Sequence, residues 1–209
     1  MIRMTVLGIL CWVHAAAAGT HSLHFVQIET SEGTGFPEYM YVGMLDDVQI
    51  SYYDSTMEKP VLPTHWSNKT KSEEFLKIHT DYIIYGREVR KWSLRNIVQH
   101  FNHTGVIHTY QNMGGCELDD DGTRRSYSSH AYDGKDFISV DVETLTWIAA
   151  VPQAVFYKHK READPALQQI IFKFYRQDCF QSLEWYLQYG METLQRKGKV
   201  TISYSIPCV

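Results

Sequence analysis

The sequence predicts an α+β fold, an eight-stranded antiparallel sheet topped by two long helices. Short patterned runs bounded by turn residues are followed by a stretch of helical periodicity, and the whole plan then occurs a second time. Strands grouped apart from helices, each with one apolar face, bury those faces by laying the helices on one side of a sheet. Composition agrees: 44% apolar and 21% charged residues over 209 positions describe a globular chain of one large domain or two small ones.

Met1 to about Gly19 reads as a secretory leader. Arg3 supplies the positive start, Val6 to Val13 a short apolar run, and Ala15 to Gly19 the small residues before a cleavage point. The run is well short of the ~20 residues that a bilayer demands, so a leader is preferred to an anchor. No later segment reaches that length, and the chain is expected in the secretory pathway or outside the cell, without an anchor of its own.

In the first half, strands are expected at Leu23–Glu29, Glu38–Leu45 and Val48–Tyr53, separated by Gly33-Thr34-Gly35 and Asp46-Asp47 and closed by Asp54-Ser55. After Pro60 and Pro63, the residues Phe75, Ile78, Tyr82, Val89, Leu94, Ile97, Val98 and Phe101 recur mostly at helical steps. Gly86 and the β-prone Tyr82 to Tyr85 interrupt that pattern, and Asn102 to Gly105 ends it. In the second half, strands are expected at Ile107–Glu117, Arg124–Tyr132, Phe137–Asp141 and Leu145–Ala149, with hairpin turns at Asp119 to Gly122 and Asp133-Gly134. Pro152 suits a first helical turn, and Pro165 should break or kink the helix that it begins. Beyond the break, Leu167, Ile170, Ile171, Phe174, Cys179, Leu183, Tyr186 and Leu187 form an apolar stripe. The halves run over 20–105 and 106–197, and 198–209 is a short tail.

A net charge of −4 and a pI near 6.2 leave no basic footprint, which argues against a nucleic-acid partner. Three cysteines lie beyond the leader. Cys116 and Cys179 are inside patterned elements and are paired here, leaving Cys208, one residue from the end. The long loop they close implies ~4 kcal/mol in the chain-entropy model. Asn68-Lys69-Thr70 and Asn102-His103-Thr104 are glycosylation sequons. No metal or cofactor is predicted: His100 and His103 have no second ligand pair, and Glu117, Asp119, Asp121 and Gly122 start a calcium-like loop whose twelfth position is Ser128. Lys158 to Arg161 reads as a solvated helix face. Neither a nucleophile elbow nor a phosphate loop occurs, so the chain is not expected to be an enzyme.

An ordered set of segments spans Thr20 to Lys197: His21-Ser22-Leu23, Tyr41 to Asp47, Tyr53-Asp54-Ser55, Asn102 to Gly105, His108 to Gln111, Gly115-Cys116, Tyr132 to Phe137, Lys158 to Lys160, Cys179 and Glu192 to Arg196. With them the chain resembles the α1α2 platform of class I major histocompatibility complex heavy chains, whose two helices wall a groove above the sheet. The resemblance implies an immune recognition and antigen-binding module with β₂-microglobulin under the sheet and a lymphocyte receptor above the helices. The family pattern would continue into an immunoglobulin-like domain and an anchor, where this sequence ends at Val209. Without that third domain, the β₂-microglobulin contact loses a main support. A truncated product, an incomplete gene model and a secreted platform remain open.

Carried onto this sequence, the resemblance places Phe25, Phe75, Phe174 and Tyr186 at one groove end, and three of these four lack the hydroxyl that the family pattern carries. His100, Phe137, Tyr157, Lys160 and Arg161 fall at the other end, where only Lys160 matches and Arg161 replaces an indole. Gln27 and Gly114 belong to the same groove by resemblance. Hydrogen bonds to charged groups contribute ~1.5–3 kcal/mol each, so losing several disfavours short free-ended peptides. A peptide or lipid-like occupant is expected, with a hydrophobic ligand favoured. The alternative is a ligand-free structural or decoy protein with a closed groove.

Overall fold

The computed structural model describes residues 19–62, 72–104 and 107–197. The leader up to residue 18, the Asn68 sequon, Cys208 and the tail from 198 lie outside the described residues.

The strand β1 (Thr20–Thr30) alternates strictly, burying Leu23, Phe25, Gln27 and Glu29 while its other side chains face the opposite surface. That period sets the sheet's helix-covered face. On one side of β1 the chain runs as a meander through β2 (Tyr39–Leu45) and β3 (Val48–Asp54); on the other it runs through β4 (Thr109–Asp119), β5 (Arg124–Tyr132), β6 (Lys135–Asp141) and β7 (Thr146–Ala149). All pairings are antiparallel, in the order β3-β2-β1-β4-β5-β6-β7, and the halves join along β1 and β4 with Phe25 opposite Gly114 and Leu23 opposite Cys116. Gly115 is dictated by this seam, because a Cβ there would lie 2.3 Å from the Leu23 carbonyl oxygen.

The described sheet has seven strands, not the expected eight. Where a further edge strand would lie, Val61 makes one antiparallel bridge to Tyr52, with N–H···O bonds of 2.8 and 3.1 Å. Pro60, just before it, has no N–H to donate to a ladder.

The helix α1 (Ser72–His100) is continuous through Gly86. Its apolar side carries Leu94, a good helix former, with Ile83 and Ile97, which tertiary packing holds helical despite their β propensity. The second wall is broken rather than one long helix: α2 (Ala154–Glu162), α3 (Pro165–Lys173), a π-helical turn (Phe174–Asp178) and α4 (Cys179–Lys197). Pro165 both ends and restarts the wall. Asp164 takes an extended backbone and caps α3 by accepting the Leu167 N–H at 3.0 Å, with Pro165 in the first turn. Nothing in the sequence pattern announces the π turn, whose extra residue per turn lets Tyr175 reach the floor beside a half-buried Phe174.

Two core clusters lie between sheet and helices. The larger is centred on Phe25, Tyr39, Tyr110, Phe137, Trp147 and Tyr157; the smaller gathers Leu23, Leu45, Phe180, Leu183 and Tyr186 around the Cys116–Cys179 disulfide. That bond ties α4 to the middle of the sheet across 63 residues. Replacing both cysteines with Ala should therefore lower stability by ~2–4 kcal/mol, read by chemical denaturation; an unchanged midpoint would contradict this role.

Candidate functional site

The floor of the groove is polar and buried at its centre. Gln27, Asn112, Ser128 and His130 all face the helices from β1, β4 and β5. Arg90 reaches down from α1 to join them. Its Nε donates to Gln27 Oε1 at 3.0 Å and its Nη2 to Asn112 Oδ1 at 3.0 Å, while Gln27 Oε1 also accepts from the Tyr39 hydroxyl at 3.1 Å. His130 is bonded to Tyr110 Oη at 3.0 Å and to Ser128 Oγ at 3.2 Å. Burial, reinforced by Arg90 and Arg161, holds its pKa well below the usual imidazole value, so the ring is neutral at physiological pH.

Above this floor, side chains from the two walls meet at intervals along the groove. At one end Phe75 stacks on Trp185 with centroids 4.1 Å apart and planes 14° from parallel, and meets Tyr186 edge-on at 5.3 Å. Near the middle, Phe174 lies flat on Tyr82 at 4.6 Å and 8°, and contacts Phe25 at 5.7 Å. Further along, Ser93 Oγ accepts from Tyr157 Oη at 2.8 Å and from Arg161 Nη2 at 2.9 Å. Beyond that, Lys160 Nζ donates to Asn96 Oδ1 at 2.9 Å and sits 4.5 Å over the Trp92 ring. Last, His100 stacks on Phe156 at 4.8 Å. Offset-stacked aromatic pairs contribute ~0.5–1.5 kcal/mol beyond their area, so these contacts draw the walls together.

Gly114 makes the filling of the floor possible. A Cβ there would lie 2.5 Å from Tyr175 Oη and 2.9 Å from Phe25 Cζ, so only glycine lets both rings settle on β4.

The expected residues thus divide. Phe25 and Phe174 meet, Phe75 and Tyr186 meet, and Phe137 lies 5.6 Å from Tyr157. His100 departs from its expected place in that end pocket: it is exposed and stacked on Phe156 at the rim. Arg161 corrects the reading of Lys158 to Arg161 as a solvated face. It is 2% exposed because its position, one turn after Tyr157, points it under the wall between Trp147 and Tyr157. It donates to Tyr157 Oη as well as to Ser93, and its Nε has no partner. Although burial opposes ionisation, the adjacent guanidinium draws the Tyr157 phenol below its ordinary value.

Sequence reasoning missed Arg90, Ser93, Tyr82, Tyr175 and Trp185. One signal for Arg90 was present: Ile83, Gly86, Arg90 and Ile97 share one helix face at steps of three, four and seven, which places a cation within an apolar stripe. His103, His108 and Asp133 also come together, with ligand-type atoms within 4.8 Å of one another. Their hydrogen bonds are structural. His108 Nδ1 binds Asp133 at 2.8 Å, Asp133 accepts the Thr109 N–H at 2.8 Å, and His103 binds Tyr132 Oη at 2.8 Å, which pins the start of β4 to the β5–β6 turn. Asn102, at the turn just before them, is exposed in a left-handed conformation.

The chain matches the family model for class I histocompatibility antigens, domains alpha 1 and 2, over residues 19–194. It belongs to the class I histocompatibility antigen family. It is 33% identical over 178 residues to the rat major histocompatibility complex class I-related protein 1, covering 85% of this chain and 52% of that protein. It is 32% identical over 187 residues to the chicken class I histocompatibility antigen, F10 alpha chain (88% and 54%), and 33% over 184 residues to the chimpanzee Patr class I histocompatibility antigen, CH28 alpha chain (86% and 53%). The chain thus spans about half the length of these relatives. No helix among the described residues is long and apolar enough to cross a membrane.

Glu29 offers a test of the floor's burial. It is 2% exposed, its Oε2 has no partner, and burial raises its pKa to about 8, against the pull of Lys91. A carboxyl raised on folding binds more protons native than unfolded, so its contribution to stability is present below the unfolded value of 4.5 and is lost as pH rises toward 8. Glu29→Gln should flatten that slope and stabilise the protein at pH 8 by a few kcal/mol. Denaturation midpoints measured at pH 5 and pH 8 would show it, and parallel changes in variant and wild type would contradict it.

Proposed function

We propose that this chain is a class I-type immune recognition platform that offers its own helical surface to a receptor, and that its groove does not carry free-ended peptides. The observation supporting this reading is the series of wall-to-wall contacts from Phe75–Trp185 through Tyr82–Phe174 and Ser93–Arg161 to Asn96–Lys160. An occupant lying along the groove would have to separate each pair. The Phe rings at positions 25, 75 and 174 offer no hydroxyl to a charged peptide terminus, whose burial without partners carries a desolvation penalty. The same contacts favour the ligand-free alternative over a lipid chain running the length of the groove.

Entry into the secretory pathway through a cleaved leader, residues 20–197 as the platform, and glycosylation at Asn102 and Asn68 belong to the same reading. On the sheet surface opposite the helices, Met113 and Ile148 are about half exposed, which suits an apolar contact for β₂-microglobulin beneath.

Chain secreted from eukaryotic cells should show, by native mass spectrometry, a glycan mass and neither a co-purifying nonamer nor a lipid. In competition assays, free-ended nonamers should not bind below the micromolar range. Nanomolar binding of ordinary nonamers by the unaltered protein would overturn the reading. A chain without glycan would remove the Asn102 and Asn68 assignments.

A further inference from the structure

Between the Tyr82–Phe174 stack and the Ser93–Arg161 bridge the groove keeps a cavity of about 50 Å³, room for a few waters or a small polar group. It shares Tyr85, Val89, Arg161, Leu167 and Ile170 with a larger cleft of about 350 Å³ between α1 and α3.

Two guanidinium groups line the cavity, Arg90 from α1 and Arg161 from α2. Their bonds go to amide and hydroxyl oxygens: Gln27 and Asn112 for Arg90, Ser93 and Tyr157 for Arg161. Among the described residues no carboxylate pairs with either. Arg161 is 2% exposed and its Nε is unpartnered. A buried cation without a counter-charge is strongly disfavoured, and a guanidinium fork is shaped to receive a carboxylate through two N–H donors. The neighbouring imidazole of His130 is neutral and adds no opposing charge.

We infer that this cavity binds the carboxylate of a small monocarboxylic acid between Arg90 and Arg161, with the acid's uncharged, apolar body in the adjoining cleft. The cleft supplies Tyr85, Val89, Leu167 and Ile170 for that body. Glu88 and Asp164 also line it, and they repel a second negative charge, which selects a monoanion. The inference rests on the proposed function only in that this cavity is the space left by the closed groove.

The test is a calorimetric titration of the full secreted chain in low-chloride buffer, with phenylacetate as probe, phenylacetamide as its neutral analogue and phenylmalonate as the dianion. Phenylacetate should bind at one saturable site and raise the melting temperature, with the amide and the dianion at least tenfold weaker. Arg161→Met and Arg90→Met should each weaken phenylacetate at least tenfold, Arg161→Lys should restore part of the loss, and Lys77→Gln should change nothing. Should Arg161→Met fail to fold, Arg90→Met and the acid-to-amide ratio decide. Equal affinity for acid and amide, or undiminished binding by Arg90→Met, overturns the inference. So does an absence of phenylacetate binding by a cooperatively melting chain. A Tyr157 phenolate seen by ultraviolet titration at neutral pH would also overturn it, because the phenol would then be the counter-ion. Nonamer binding would overturn the closed groove alone; failure of phenylacetate with nonamers still excluded would overturn this inference alone.

Discussion

Phe174 lying flat on Tyr82 closes the groove at its middle, and much of the site depends on that one contact. It brings α1 against the π-helical turn after α3, and it holds Phe174 where it also meets Phe25 from the sheet. The turn's extra residue sends Tyr175 to the floor, where Gly114 leaves it room. With the middle closed by rings, the remaining space is short, and its lining combines one guanidinium side chain from each wall with apolar residues.

The polar floor and the aromatic bridges are two solutions to one problem. A sheet that buries Gln27, Glu29, Asn112, Ser128 and His130 on its covered face must satisfy each polar atom or carry the penalty. Arg90, Tyr39 and Tyr110 satisfy most of them from above and alongside. Arg161 stands apart, because its cation is held by hydroxyls and ring faces instead of a carboxylate. Aromatic faces and hydroxyls reduce the cost of burying a guanidinium but do not neutralise it. The Glu29 carboxyl, also buried without a full set of partners, resolves the same conflict by favouring its neutral form.

Much of the fold was legible because its signals are local. The alternation of β1, the Asp-rich turns and the helical period from Phe75 to Phe101 each report a face or a boundary within a few residues. Pro165 likewise announced the break in the second wall, and Cys116 with Cys179 announced the tie to the sheet. The features that escaped are non-local. The single bridge of Val61 to Tyr52 at the sheet edge has no strand-like run in the sequence to announce it, and the π turn brings together aromatic rings that lie far apart in the chain. Arg161 looked solvated within Lys158 to Arg161, since helical phase alone does not say how deep a wall sits on its sheet. The groove residues named by resemblance came together in pairs, but the partners that close them, Tyr82, Trp185 and Ser93, lie on the opposite wall.

The closed groove is tested most directly by a double-mutant cycle on Tyr82→Ala and Phe174→Ala, read by denaturant unfolding of the secreted chain. If the two rings hold the walls together, the double variant should lose less stability than the sum of the singles, with a coupling of about 1 kcal/mol. Additive losses would show that the walls do not meet at this point and would contradict the account.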